Sequence, residues 1–396
     1  MTADRIDPSR SGPGEVRLTV VCPTYNQEKY IQRALDGFVS QKTNFRFRVL
    51  VGDDASTDKT PAIIKDYAIK HPEIIKPVLR ERNLGAANNY QDLIKNIDTE
   101  YMAFCEGDDY WTDPEKLQKQ VDILDRNMNL AICFHPVLVQ YEDDDIPDDL
   151  NPSKDKCSIF APHPQASPYD RPTQTIYDIA LHSCIPSCSV VYRWRFRRGR
   201  DLEYYPADVN PGDVLNNLLH AETGDAFFLD EVMGCYFRPK NSLWGQKNLL
   251  ANHALEIVRF HELAEKHFQE DVVRCLQLER DPALFEMMKD LLRTDQIAVL
   301  LDIFVKHRRF YDLGMSRLKA VLETAPANEA AARSAEAAAQ SAGVAAQSAE
   351  AEALALRKQN SVLLEKMVRR QRRLGYAAGA LVLSLLGNIL LLIIKL

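Results

Sequence analysis

Short apolar runs alternate with helix-spaced segments over the first third of the chain, and this alternation constrains the fold more than any other feature. Arg17–Cys22, Phe45–Val51, Ile74–Leu79, Tyr101–Cys105 and Leu130–Phe134 read as strands. Phe45, Phe47, Val49 and Val51 alternate with Arg46 and Arg48 at the period of a strand. Between the strands, Glu28–Ser40, Thr60–Lys70, Ala86–Asn96 and Pro114–Arg126 carry helical spacing. Pro61 after Thr60 suits the first turn of a helix. A β-α-β-α succession of this kind predicts an α/β fold, with a mostly parallel sheet and helices on both faces. In such sheets ligands bind beyond the carboxyl ends of the strands, so the loops after each strand are where chemistry is expected.

Those loops are rich in polar groups. They read Pro23-Thr24-Tyr25-Asn26, then Gly52-Asp53-Asp54-Ala55-Ser56-Thr57-Asp58, then Arg80-Glu81-Arg82-Asn83-Leu84-Gly85, then Glu106-Gly107-Asp108-Asp109-Tyr110-Trp111. Carboxylates gathered on one sheet edge repel unless a cation or donor pairs them. A hard divalent ion shared with phosphate oxygens satisfies that need, since Mg²⁺ takes one or two carboxylates plus substrate phosphates. Asp54 and Asp109 are therefore candidate functional residues. Asp58 reads as a cap for the helix that follows.

Val21–Asn26, Val51–Asp58 and Glu106–Trp111 resemble the signature loops of family 2 inverting glycosyltransferases, which adopt the GT-A fold, a Rossmann-like variant of the α/β class. His182–Arg193 is similar to that family's acceptor-side segment. Gly212-Asp213-Val214-Leu215, Phe228–Met233 and Tyr236-Phe237-Arg238 are similar to its catalytic segment and closing strand. The resemblance covers roughly residues 16 to 250. It implies a nucleotide-sugar donor, with UDP favoured, held by Pro23, Thr24, Tyr25, Asn26, Asp53, Asp54, Asn83, Gly85 and Asp108. Asp108 and Asp109 would form the metal site, Asp109 being the direct ligand of Mg²⁺ or Mn²⁺, and Asp213 would be the general base. Ser187, Arg193 and Trp244 would lie on the acceptor side. Ala55 stands where the family commonly has Gly, and Lys240–Trp244 stands where it commonly has His-Gly-Gly-x-Trp.

The remaining chain sets the expected context. Residues 1–15 read as a disordered N-terminus without the apolar stretch of a signal peptide, 16–246 as the catalytic domain and 247–324 as a helical domain. Residues 325–373 are Ala-rich and repeat at seven residues, with Ala335, Ala342, Ala349, Leu356 and Leu363 on one position and Ala339, Ala346, Ala353, Asn360 and Met367 on another. The 335–367 heptads suit either a coiled-coil homodimer or a single spacer helix. Leu374–Ile394 has no formal charge and is long enough to span a bilayer as a helix. Lys366, Arg369, Arg370, Arg372 and Arg373 precede it, which predicts a C-terminal anchor in the inner membrane with the body in the cytosol. The Arg-rich stretch 193–200 suits an acceptor phosphate, anionic headgroups or a solvated loop.

Composition narrows the classes further. The chain has 396 residues, with 56 acidic against 49 basic, and its pI is 5.8, so a general nucleic-acid partner is not expected. Its 8 Cys include no Cys-x-x-Cys pair and read as reduced thiols of a cytosolic protein. The resemblance, with the apolar C-terminal run, implies a membrane-anchored glycosyltransferase that acts on a glycan or lipid-linked acceptor in cell-surface polysaccharide or glycoconjugate biosynthesis. A nucleotidyltransferase and an inert membrane scaffold are the alternatives; the first would want a Gly-rich phosphate loop where Pro23–Asn26 stands.

Overall fold

In the computed structural model, β1 (Val16–Thr24) lies inside an eight-stranded sheet. It pairs in parallel with β2 (Arg46–Asp53) and β4 (Tyr101–Phe104), and β2 pairs in parallel with β3 (Ile75–Leu79). Val20, Val21, Cys22, Val49 and Val51 are fully buried. Strands covered on both faces carry near-continuous apolar runs, as the sequence here does. The structure describes residues 15–142, 157–160, 172–182, 185–209, 212–239, 253–293, 296, 299, 300 and 303.

The sheet continues through β10 (Val191–Arg193), which runs antiparallel between β4 and β6 (Leu130–Phe134). Beyond β6 come parallel β11 (Asp225–Phe228) and antiparallel β9 (Thr173–Gln174). The α/β class and the mostly parallel sheet agree with the sequence. A second sheet did not follow from the pattern. It joins β5 (Tyr110–Trp111), β12 (Gly234–Arg238), β7 (Val137–Tyr141) and β8 (Cys157–Phe160) in that order. Its strands are short and their partners lie far apart in the chain, so local periodicity gives no hint of the pairing.

Helices cover both faces. α1 (Ile31–Val39), α2 (Thr60–Lys70) and α4 (Lys116–Arg126) place Ile31, Leu35, Phe38, Ile64, Leu117 and Val121 in one hydrophobic cluster. α3 (Ala86–Ile94), α5 (Ile176–His182) and α6 (Gly212–Ala221) contribute Leu93, Ile179, Leu215 and Leu218 to another. α7 (Ala254–His267) and α8 (Glu270–Arg293) join this second cluster through Phe260, Ala264, Val272 and Leu276. The helical segment therefore shares a core with the sheet. On α1, Ile31, Ala34, Leu35 and Phe38 are buried at the spacing of one helix face. Gly37 lets that helix touch β5, since a Cβ there would stand 2.9 Å from the Trp111 carbonyl oxygen.

The chain divides into two units, residues 1–299 and 300–396. Among the described residues, no helix is long and apolar enough to cross a membrane. The apolar run 374–394, the heptads at 335–367, Trp244 and all but the last residue of the N-terminal segment 1–15 lie outside the described residues.

Two core histidines give the fold an acid sensitivity. His220 and His135 are fully buried, and burial pushes each down to about 3. His220 shares Nδ1 with the Asn216 carbonyl at 2.8 Å and stacks on Trp194 with centroids 5.1 Å apart. A depressed pKa means the neutral ring favours the native state above about 6.5, and that stabilisation is lost as pH falls towards 3. His220→Phe is expected to flatten the decline of unfolding free energy with acid by about one proton, or about 1.4 kcal/mol per pH unit. Parallel stability profiles for the variant and the parent would show that His220 is not responsible.

Candidate functional site

The loops after β1 and β2 are laced to each other. Asn26 accepts the Thr57 N–H at 2.8 Å, and its own N–H donates to Ser56 Oγ at 2.8 Å. Asp58 accepts the N–H groups of Glu28 at 3.0 Å and Thr60 at 2.9 Å, so it closes the loop and caps α2. Asn26 (φ 51°) and Ala55 (φ 59°) both adopt the left-handed region. Only Gly enters it freely, so Ala55 holds at some cost the bend that a glycine commonly makes.

Asp54 organises the third loop. Its carboxylate accepts the Leu84 N–H at 2.7 Å and the Gly85 N–H at 2.9 Å, while its carbonyl accepts Asn83 Nδ2 at 3.0 Å. Gly85 has φ 83°, which selects glycine, and it leads directly into α3. Asp54 is 2 % exposed, so it acts on this edge through the loop it clamps. Asp53 is also buried, with Oδ2 on the Ser56 N–H at 3.1 Å and Oδ1 without a partner. Pro23 and Thr24 end β1 beside them, and Tyr25 stands 47 % exposed at the mouth.

The acidic loop after β4 packs against the first loop. A Cβ on Gly107 would meet Gln27 Oε1 at 2.4 Å, Thr24 Oγ1 at 2.7 Å and Ile31 Cδ1 at 2.9 Å. Thr24 Oγ1 donates to Gln27 Oε1 at 2.6 Å, and the Gln27 side chain bonds Asp108. Gly107→Ala is expected to break this Thr24–Gln27–Asp108 chain and lower turnover by about tenfold or more, because small displacements of positioned groups are costly. Assay of purified Gly107→Ala at unchanged fold content checks it; full activity would refute the close fit.

Asp109 is fully buried beneath Asp108. Its Oδ1 accepts the Phe237 N–H at 2.9 Å, which ties β12 to the acidic loop, and its Oδ2 is buried with no N–H or O–H donor. The Cys188 thiol lies beside it. Burial, then the charges of Asp108 and Glu106, hold Asp109 well above the usual carboxylate range. Asp108 is raised by burial, against the pull of Gln27 and the Arg33 guanidinium. Arg33 itself lies 4.3 Å from the Phe237 ring centroid and 4.8 Å from that of Tyr110.

Glu106 connects this loop to the second half of the chain. Burial, then the charges of Asp108 and Asp213, push it up to about 8. Asp213, the second residue of α6, thus stands within electrostatic reach of the acidic loop. Asp213 is exposed at the start of α6, and desolvation raises its pKa. Its Oδ1 accepts the Val214 N–H at 2.9 Å, and Arg280 on α8 lowers its pKa through charge.

The expected acceptor-side residues separate. β10 runs antiparallel to β4, so Ser187, just before it, falls at the carboxyl edge next to Cys188 and Asp109. Arg193 falls at the opposite edge, opposite Tyr101. There Nη2 donates to the Leu124 carbonyl at 2.6 Å, Nε to the Leu130 carbonyl at 3.3 Å and Nη1 to Tyr101 Oη at 3.1 Å. The acceptor-side assignment of Arg193 is thereby corrected: the guanidinium pins α4 to the sheet. Arg195 and Arg197 are likewise spent, on the Leu219 and Asp98 carbonyls.

Among the described residues, no three metal-ligating side chains stand close enough to hold an ion alone. The donors still suit a hard cation completed by substrate oxygens, because Glu106, Asp108 and Asp109 are all oxygen ligands that repel one another, and the buried Asp109 Oδ2 has no N–H or O–H donor. Sequence reasoning passed over Gln27, Glu106 and Arg280. Gln27 follows the first loop, and Glu106 opens the acidic one, so local position could have marked both. Nothing local marks Arg280, which reaches the site only through the packing of α8.

Residues 19–197 match the family described as Glycosyl transferase family 2. That match spans all four loops of the carboxyl edge and stops short of Asp213. A Mycobacterium tuberculosis relative, the uncharacterized protein Rv1520, is 41% identical over 227 residues, covering 57% of this chain and 60% of its own. The dTDP-rhamnosyl transferase RfbG of Shigella flexneri is 32% identical over 123 residues, covering 30% of this chain and 41% of its own. The chain spans under two thirds of the length of these relatives. Among solved structures, TarS of S. aureus covers 79% of this chain and 87% of its own, with 18% identity and a TM-score of 0.48.

Proposed function

We propose that this protein transfers a sugar, with inversion, from a nucleotide-sugar donor to a hydroxyl of a glycan or lipid-linked acceptor in polysaccharide biosynthesis. The observation that carries the reading is that Asp213 and Glu106, far apart in sequence, share one electrostatic environment with the Asp108–Asp109 loop. A transferase needs that juxtaposition: a base for the incoming alcohol beside oxygens for the leaving diphosphate. A divalent cation bound by Asp108 and Asp109 would supply Lewis-acid stabilisation of that leaving group.

The chain's own residues do the rest. The loops laced by Asn26, Asp54 and Asp58 frame the nucleotide, with exposed Tyr25 available to the base. Asp213 accepts the proton of the acceptor hydroxyl as that oxygen bonds the anomeric carbon. The bond from the anomeric carbon to the phosphate oxygen breaks in the same step, and the nucleoside diphosphate leaves with the electron pair. Desolvation makes Asp213 a stronger base than a free aspartate, which suits the task. In this reading UDP is the favoured nucleotide, and residues 374–394 anchor the enzyme at the inner membrane, where lipid-linked acceptors reside. Pairing through residues 335–367 would join two such anchored chains.

A thermal-shift panel of UDP-, dTDP- and GDP-sugars with Mn²⁺ tests the reading. A specific donor at about 100 times its Kd stabilises the native state by about 2.7 kcal/mol. One donor is expected to raise Tm by several degrees, and to do so less in EDTA. No response to any donor would overturn the proposal.

A further inference from the structure

We propose that Tyr90 and Tyr205 are positioning residues that brace Asp213 against the donor loops. This rests on the reading of Asp213 as the general base. Phe104, Tyr90, Tyr205 and Phe196 form an aromatic ladder, with centroid separations of 5.3, 5.9 and 6.1 Å. Phe104 ends β4, immediately before the acidic loop. Tyr90 sits on α3, which starts at the Gly85 turn that Asp54 clamps. At the far end, a Cβ on Gly212 would lie 3.2 Å from Tyr205 Oη, so that hydroxyl rests against the residue before Asp213. Asn216, one turn further along α6, donates Nδ2 to Tyr90 Oη at 3.4 Å. Gln91 on α3 holds the Tyr205 carbonyl in turn.

Phenylalanine would fill the same space more cheaply, because a buried hydroxyl is costly unless it is used. Both hydroxyls here meet the first turns of α6. Both rings also stay protonated by burial, and the Asp213 charge adds to the effect at Tyr205, so each acts as a neutral strut. The ladder ties the base to the same elements that frame the donor. A base displaced by a fraction of an ångström loses much of its effect, whereas donor affinity depends on the loops alone.

The test uses the full-length protein and metal-dependent hydrolysis of nucleotide sugars, read as nucleoside diphosphate release from the same UDP-, dTDP- and GDP-sugar panel with Mn²⁺. Water then replaces the unidentified acceptor. Tyr205→Phe and Tyr90→Phe are each expected to lower kcat about tenfold or more, with the donor KM within about twofold and the Mn²⁺-plus-donor Tm shift intact. The double variant is expected to lose little beyond the worse single one, as residues acting through one contact do. Wild-type kcat in both single variants overturns the brace while leaving the transferase reading standing. So does a loss of kcat matched by an equal loss of donor affinity and Tm, which would mark ordinary packing. A wild-type protein inactive on the whole panel overturns both.

Discussion

Asp213→Asn is expected to bind its donor and fail to transfer the sugar. The substitution preserves shape: the amide oxygen can still accept the Val214 N–H that now meets Oδ1 at 2.9 Å. What disappears is the only proton-accepting capacity at that position. Removal of a positioned general base costs about 10² to 10⁴ in rate, so kcat should fall by about 10³. The Tm shift with donor and Mn²⁺ should survive, because in the proposed reading the loops after β1, β2 and β3 hold the nucleotide and Asp213 does not. Donor hydrolysis and thermal shift on one preparation check both halves. Turnover at the parental rate would remove Asp213 from the mechanism, and loss of the Tm shift would move it to donor binding.

Asp109→Asn should give an opposite sign in stability and activity. Asp109 is fully buried, and burial with the neighbouring Asp108 and Glu106 charges raises its pKa well above normal. A raised folded-state pKa means the carboxyl stabilises the fold below its unfolded pKa near 3.8, and that stability is lost as pH rises above it. Well above that pH, then, the buried carboxyl costs the metal-free fold stability. Asparagine keeps the oxygen that accepts the Phe237 N–H and drops the charge. The variant should melt at the parental temperature or higher without metal. It should lose the Tm increment from Mn²⁺ and lose turnover by about a hundredfold, on the scale of a removed electrostatic stabiliser. A lower Tm with normal Mn²⁺ response would show Asp109 to be a structural link between the acidic loop and β12.

The two aspartates differ in how far the sequence could reveal them. The acidic loop is local, since Glu106, Asp108 and Asp109 are near neighbours after an apolar run, and the strand-loop-helix rhythm places them on the ligand edge. The same holds for Asp54, whose pairing with the loop at 83–85 follows from adjacent parallel strands. Asp213 carried no such signal apart from the resemblance of its segment, because nothing local says that the start of α6 comes within electrostatic reach of the loop after β4. Arg193 shows the converse error. Its segment looked acceptor-facing, but an antiparallel strand of three residues reverses direction, and two residues of chain carry a side chain to the other edge of the sheet.

From the sequence by itself come the α/β class, a mostly parallel sheet with helices on both faces, and the loops that collect oxygens at its carboxyl edge. Each of these depends on periodicity and on residues close in the chain, where backbone geometry leaves few options. Only the tertiary structure decided that β10 inserts antiparallel between β4 and β6, that the Asp109–Phe237 bond ties a second sheet to the acidic loop, and that α8 brings Arg280 within range of Asp213. Those outcomes rest on packing between distant segments, where the gain comes from shape and buried area shared by both partners and neither segment encodes it alone.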